Sequence, residues 1–313
     1  MAYFAEHVLA CPLCGAHPLT PRGQDLACTH CAWQSRQVGG DTLSFAATVH
    51  AGPRMQTSRE LARAPSRLRE LWRRLVFWRR LVEPDEAAWE AALAPVRARE
   101  LAEVCALLRA HLDRPVGCML ELGAGSQDHR ALYAEFAEHA ITSDIYRDAQ
   151  AAAWHAGNDR VLHCILHSEQ LPLRPASLDL LLTSHVVEHF PDRLGHLSKL
   201  RRALRPGALA CHVVPIASGL LLGHLVGTLA NLLVLRPSLG RGIHGEFASV
   251  LAELRATSLA AWRRLFTAAG FEILVERKGA LALRPLPPWL TLPAGRLTGC
   301  AGSRIFLLRA RPG

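Results

Sequence analysis

The chain has 313 residues, half of them apolar, enough for one large domain with its own core and a small module beside it. Its formal net charge is +9, but every basic residue except Lys199 and Lys278 is arginine, amid abundant Ala, Leu, Pro and Gly; this compositional bias argues little for an anionic partner such as nucleic acid. Nine cysteines, four clustered near the N-terminus and five scattered singly, exclude the even framework of a secreted disulfide scaffold and point to a reducing, cytoplasmic setting.

The first segment, MAYFAEHVLACPLC, has no basic stretch followed by an apolar run, so no signal peptide is expected. Residues 8–47 read as a compact unit of short strand-like pieces. Within it, CPLC (Cys11, Cys14) and CTHC (Cys28, Cys31) form two CxxC pairs with thirteen residues between them. Two cysteines three apart on a tight knuckle aim both sulfurs at one ion, and two knuckles supply four thiolates for a tetrahedral zinc. Gly15, directly after the first knuckle, suits the turn it needs. A closed four-sulfur site leaves no position for water and is therefore structural. The alternatives are redox-active or free cysteines, and His30 in place of one cysteine; the paired spacing favours Cys31. This module, residues 1–50, resembles the Trm112-like zinc ribbon, in which a second knuckle is followed by a short strand and a glycine turn, here WQSRQVGGDTLSF. Such ribbons often sit beside methyltransferase domains.

Residues 51–112 form a helical, arginine-rich region. In SRLRELWRRLVFWRRLVEP, Leu68, Leu71, Trp72, Leu75, Val76 and Val82 recur at helical spacing with arginines between, which predicts a basic amphipathic helix. From residue 113 to the end, apolar runs alternate with helical patterns: CMLELG, HAITSDIY, VLHCILH, LDLLLTSH and ALACHVVP, then a helix, glycine turn and strand in SLAAWRRLFTAAGFEILVERKGALAL, then a last strand in GCAGSRIFLLRARP. That alternation predicts an α/β fold with a doubly wound, mostly parallel sheet covered on both faces.

The run ELGAG (Glu121, Gly123, Ala124, Gly125) ends the first of these strands and opens a helix. The two glycines let a ligand approach the backbone closely. A dinucleotide site would place a third glycine at 128, and the chain has Asp128 there, which repels a pyrophosphate. Glu121 instead suits a ligand with a cationic amino group.

At this point the chain resembles the class I S-adenosylmethionine-dependent methyltransferases, the type 11 family in particular. TSDIY puts Asp144 and Ile145 at the end of the second strand, where a carboxylate accepts both ribose hydroxyls. HSEQLPLRPASLDLLLTSHVVEHFPD matches the family's run from the third-strand loop through the fourth strand, including Asp179, Ser184 and the Glu188–His189 pair. LRRALRPGALACHVVP matches its Leu-x-Pro-Gly turn. The resemblance implies a Rossmann-like seven-stranded sheet and a cofactor site of Glu121, Gly123, Ala124, Gly125, Asp144, Ile145, His167, Ser168, Glu169 and Ser184. The chain departs from the family at Gln127, commonly glycine, and at His167, usually an aspartate near the adenine.

Methyl transfer from a sulfonium is an in-line displacement that alignment accelerates. An oxygen nucleophile also needs a base, and the candidates are His185, His189 and His244, with Glu188 beside them. HVVEH also fits a metalloprotease pattern, an accidental match behind a buried strand. Some quinone O-methyltransferases carry E-x-x-E-H here and hold a divalent metal; in this chain the first member is His185. A capping and packing role is the bland alternative for Glu188 and His189. Residues 216–255 break the strand rhythm, and IASGLLLGHLVGTLANLLVL carries no formal charge over 216–235. That length could span a bilayer. Its place directly after a sheet strand favours a helical lid, with a lipid-binding or peripheral membrane face as the alternative.

The expected organisation is a zinc ribbon (1–50), a helical linker (51–112) and a methyltransferase domain (113–313) with the insert 216–255. The expected activity is S-adenosylmethionine-dependent methylation of a small or lipid-like acceptor, with a structural zinc ion. One alternative is an rRNA guanine methyltransferase whose ribbon reads nucleic acid; the few aromatic residues in the ribbon speak against it. The other is a protein-docking module with an inactive domain.

Overall fold

The computed structural model describes residues 1–23, 25–37, 42–45, 86–125, 128–145, 153, 155, 158–166, 171–222, 225, 247, 249–279 and 302–312. The N-terminal residues form helix α1 (Ala2–His7), the hairpin β1 (Thr20–Arg22) and β2 (Asp25–Ala27), and the short antiparallel pair β3 (Arg36–Gln37) and β4 (Leu43–Ser44). Helix α2 (Glu86–Arg109) leads to β5 (Val116–Leu122), α3 (Arg130–Phe136), β6 (Ala137–Asp144), β7 (Val161–Ile165) and β8 (Leu178–Ser184). A 3-10 turn (Val187–His189), α4 (Arg193–Ala203) and β9 (Leu204–Pro215) follow. The chain closes with α5 (Val250–Ala256), α6 (Leu259–Ala268), β10 (Phe271–Lys278) and β11 (Ser303–Ala310). The expected amphipathic helix at 66–84 lies outside the described residues. Among those described, no helix is long and apolar enough to cross a membrane.

The strand order is β10-β11-β9-β8-β5-β6-β7-β4-β3. From β9 to β4 all neighbours are parallel; β11 joins β9 and β10 antiparallel. The seven strands β5 to β11 form the expected mostly parallel sheet, and the ribbon adds β4 and β3 at one edge. Chain order reverses between β5 and β8, and a doubly wound sheet opens a crevice for ligands beyond the C-terminal ends of such a pair.

Alternate side chains divide the sheet between two apolar layers, as strand geometry requires. Met119, Leu180, Leu182, Cys211 and Leu307 face α2 and α3, packing with Leu107, Leu108, Leu132 and Phe136. Leu120, Leu181, Ala210 and Phe306 face the other way, toward Leu197 and Leu200 of α4 and Trp262 and Phe266 of α6. Local sequence fixes the helix starts: Asp192 caps α4 by accepting from the Gly195 N–H, and Ser249 and Ser258 cap α5 and α6.

The ribbon shares this second layer. Phe4, Val8, Leu9, Leu26 and Phe45 belong to the same apolar cluster as Leu120, Leu122, Ile141 and Leu166. The Tyr3 ring stacks on His139 of β6 with centroids 3.6 Å apart. Backbone bonds reinforce the join: Ala10 N–H donates to Pro172, Arg174 N–H to Val8, and Phe45 N–H to Ile165. The described part of the β7–β8 connection has no helix. The face beneath it is covered by α1 and the ribbon instead.

Candidate active site

The turn after β5 is built by its glycines. Gly123 and Gly125 have φ of +77° and +60°, which side chains with a Cβ rarely adopt. A Cβ on Gly123 would stand 2.1 Å from Val186 Cγ2, so this glycine lets the turns after β5 and β8 touch. At Gly125 a Cβ would meet nothing within 4 Å. The N–H groups of Gly123 and Ala124 donate to the Ser143 carbonyl, and Gly125 N–H donates to Asp144 Oδ2 at 2.9 Å. The carboxylate at the end of β6 is thus fixed against the glycine turn. Asp144 and Ile145 are half-buried there, and Ala124 is buried.

Glu121 occupies a different setting from the one its sequence suggests. It is buried beneath α3; its Oε1 lies 2.7 Å from His129 Nδ1, and its Oε2 accepts from the Tyr133 hydroxyl. The carboxylate expected to receive a cationic amino group is here taken by His129. Burial lowers the His129 pKa, and the hydrogen bond and charge of Glu121 more than offset this, for a net rise. Asp128 points to solvent and pairs with Arg130, whose hydrogen bond holds its pKa down to about 2. Position 127 lies outside the described residues.

The strand β8 ends at Ser184, half-buried and in register with Val213 of β9. His185 follows with φ of +54°, a left-handed conformation held by its N–H bond to the Val213 carbonyl. Its Nε2 lies 3.2 Å from Glu100 Oε2 and its Nδ1 3.6 Å from Glu188 Oε1. Partial desolvation lowers its pKa, but the Glu100 charge and hydrogen bond, then the Glu188 carboxylate, carry it up to about 10. Glu188 is fully buried in the 3-10 turn, and half-buried His189 closes that turn with an N–H bond to Val186. His167, Ser168, Glu169 and His244 lie outside the described residues. Asp179, part of the matching motif, sits at the opposite end of β8; it accepts from Cys118 N–H and pairs with Arg205.

The four cysteines converge. The Sγ atoms of Cys11, Cys14, Cys28 and Cys31 lie within 4.8 Å of one another, with Cys11–Cys31 at 3.7 Å and Cys14–Cys28 at 3.5 Å. Sulfurs about 2.3 Å from a tetrahedral zinc stand about 3.8 Å apart, so the cluster matches that ion in size. Gly15, at φ +73°, turns the first knuckle, and its N–H donates to the Cys11 carbonyl. His30 contributes its backbone N–H to Cys28 Sγ, 3.3 Å away, and Cys31 is the fourth member of the cluster. The second knuckle holds the Cys28 thiol down at about 6, because the hydrogen bonds it receives outweigh its burial.

Residues 120–211, from β5 to β9, match the family model described as a methyltransferase domain. No curated protein sequence matches the chain. Among solved structures, a chain of the complex between the Haloferax volcanii Trm112 methyltransferase activator and a methyltransferase superimposes with a TM-score of 0.51. That match has 18% identity and covers 74% of this chain and 98% of that one. An S-adenosylmethionine-dependent methyltransferase from Mesorhizobium loti matches at 16% identity and TM-score 0.46, over 65% of this chain and 95% of that one. The 1,6-didemethyltoxoflavin-N1-methyltransferase of Burkholderia thailandensis, solved with its substrate and S-adenosylhomocysteine, matches at 16% identity and TM-score 0.44, over 89% and 99%. Residues 120–211 therefore match a methyltransferase domain, set in a mostly parallel sheet to which the four-cysteine module adds two short strands at one edge.

Proposed function

We propose that the protein is an S-adenosylmethionine-dependent methyltransferase acting on a small or lipid-like metabolite, with a structural zinc ion in its ribbon. The observation that carries this reading is the bond from Gly125 N–H to Asp144 at the switch point of the sheet. A carboxylate held there is oriented to accept the two ribose hydroxyls of the donor. Among the described residues, no side chain stands within 4 Å of where a Cβ on Gly125 would lie, so the turn beside it has room. When bound, S-adenosylmethionine supplies a methyl group on a sulfonium. The chain aligns it: Ile145 lines the nucleoside, Ser184 and His185 flank the acceptor side, and His167, Ser168 and Glu169 contribute the adenine wall. With Glu121 engaged by His129 and Tyr133, the donor's amino group falls to the backbone carbonyls of the glycine turn.

The insert 216–255 serves as a lid over the acceptor, with His244 near its entrance. Residues 217–222 begin this segment as a helix directly after β9, with Leu220 buried and Leu221 and Leu225 exposed. Exposed leucines of this kind suit an apolar wall for a lipid-like acceptor. The zinc ribbon (1–50) supports the domain (113–313) from within the same chain, whereas the Trm112 activator of the Haloferax volcanii complex is named as a partner of its methyltransferase.

The test is calorimetry with S-adenosylmethionine and S-adenosylhomocysteine. Wild type binds both, and Asp144→Ala weakens each by about 2–3 kcal/mol, roughly 30- to 150-fold. Equal affinity in that variant would remove the ribose assignment. Labelled S-adenosylmethionine added to cell extract then identifies the acceptor by mass spectrometry.

A further inference from the structure

Glu100 stands on α2, outside the segment that matches the methyltransferase family, yet it reaches the end of β8. Its carboxylate is enclosed: Ser303 at the start of β11 donates to Oε1, and Oε2 faces His185 Nε2 at 3.2 Å. Gly279, just past β10, closes another side; a Cβ there would lie 3.0 Å from Glu100 Oε1 and collide with Ser303 Oγ. On the far side of the imidazole, Glu188 Oε1 lies 3.6 Å from Nδ1. The two carboxylates are 6% and 1% exposed, while the His185 side chain is 41% exposed. Among the described residues, these two carboxylates are the charged groups that face the ring. β11 contributes Ser303, the end of β10 contributes Gly279, and β9 contributes the Val213 carbonyl, all uncharged.

A neutral imidazole has one N–H donor and one bare acceptor nitrogen. An ionised carboxylate only accepts. With the Glu100 carboxylate at hydrogen-bond distance from Nε2 and the Glu188 carboxylate at ion-pair distance from Nδ1, the charges on both sides favour the ring that carries hydrogen on both nitrogens. Val186, next in the chain, touches the glycine turn, so this ring stands beside the expected methyl-donor site.

Resting on the methyltransferase reading above, we propose that Glu100 is a positioning residue of the transfer site: together with Glu188 it holds His185 as an imidazolium, so His185 presents a fixed positive charge on the acceptor side and does not serve as a general base. A base needs an unprotonated nitrogen turned toward its substrate, and this ring has none. The acceptor is accordingly one whose nucleophile does not depend on His185 for loss of its proton. The direction of the His185 pKa agrees with the geometry.

The experiment is a nitrogen-15 NMR titration of histidine-labelled protein, with the His185 signals assigned by difference against His185→Gln. In wild type, His185 stays protonated at pH 8. In Glu100→Gln its midpoint falls by at least about one pH unit, with partial recovery in Glu100→Asp. The initial rate of label transfer from S-adenosylmethionine to cell extract is flat from pH 7 to 9 in wild type. In Glu100→Gln it falls at least about twofold across that range, as the protonated fraction falls with a midpoint at or below about 9. A wild-type midpoint near the ordinary 6.5 overturns the proposal, as does an unchanged midpoint in Glu100→Gln or a wild-type rate that climbs tenfold per pH unit. If Glu100→Gln does not fold, the wild-type midpoint decides alone. Calorimetry with S-adenosylhomocysteine on the same samples separates the two readings. Absence of binding removes the methyltransferase reading and leaves the His185 titration intact.

Discussion

Gly123 shows how one missing side chain positions a site. Its φ of +77° and the 2.1 Å separation that a Cβ would have from Val186 Cγ2 each oppose any substitution. Gly123→Ala should therefore push the turns after β5 and β8 apart and weaken S-adenosylhomocysteine binding at least tenfold by calorimetry. The Glu121–His129 pair makes a different demand. Both side chains are almost fully buried, so His129→Ala leaves a buried carboxylate with only Tyr133 as partner. Urea unfolding should show a loss of about 3 kcal/mol. The pair also has a pH signature. The folded His129 pKa lies above its ordinary value, so its contribution is complete below about pH 6.5 and fades as pH rises through the folded value. Wild type should thus lose stability on the alkaline side relative to His129→Gln. The glycines and Asp144 were legible because they sit in a short contiguous motif. His129, Tyr133 and Glu100 were not, because nothing in a helical pattern marks which polar side chain turns inward. Glu100 meets a partner 85 positions away.

Elements of the sheet were legible for a simple reason: the seven strands from β5 to β11 are five to twelve residues long, enough to show an apolar run or a strand period. The strands β3 and β4 have two residues each and show no period at all. β4 pairs with β7 through Leu43–Cys164 and Ser44–Ile165, and β3 pairs with β4 in turn, a placement no local pattern announces. The four thiolates hold the loops that carry these strands, so metal and fold are coupled. Purified protein should contain one zinc per chain. Removing it with a strong chelator should lower the thermal midpoint of the whole chain, and readdition should restore it. A midpoint indifferent to the chelator, with under about half an equivalent of metal, would leave the cluster as four free thiols. The start of the insert behaves differently. Leu225 is 60% exposed, so Leu225→Asp should leave thermal stability and donor binding unchanged while reducing acceptor turnover. Wild-type protein that partitions into membranes and resists high salt would make the segment an anchor.

The molecule as a whole is joined more closely than its sequence implies. The paired cysteines and short strand-like pieces mark residues 1–50 as a separate module, yet Phe4, Val8 and Leu9 share an apolar cluster with Leu120, Leu122 and Leu166 of the sheet. A sequence motif announces a metal site and says nothing about which distant surface the surrounding apolar residues cover. Deleting residues 1–45 should therefore uncover one face of the sheet and yield aggregated protein on size-exclusion chromatography; a monomeric, cooperatively unfolding product would show that the ribbon is dispensable. The parallel pairing of β4 with β7 has a further consequence. A strand at the border of a sheet offers a row of backbone donors and acceptors as a template for another chain. With β4 in place, that border passes to β3, which is two residues long and begins with Arg36, a poor template. Detachment of the ribbon would return the border to β7, whose Val161–Ile165 is apolar and mostly buried. Metal-depleted protein should then self-associate through this strand, so its failure would depend on concentration, with turbidity rising steeply as the sample is made denser.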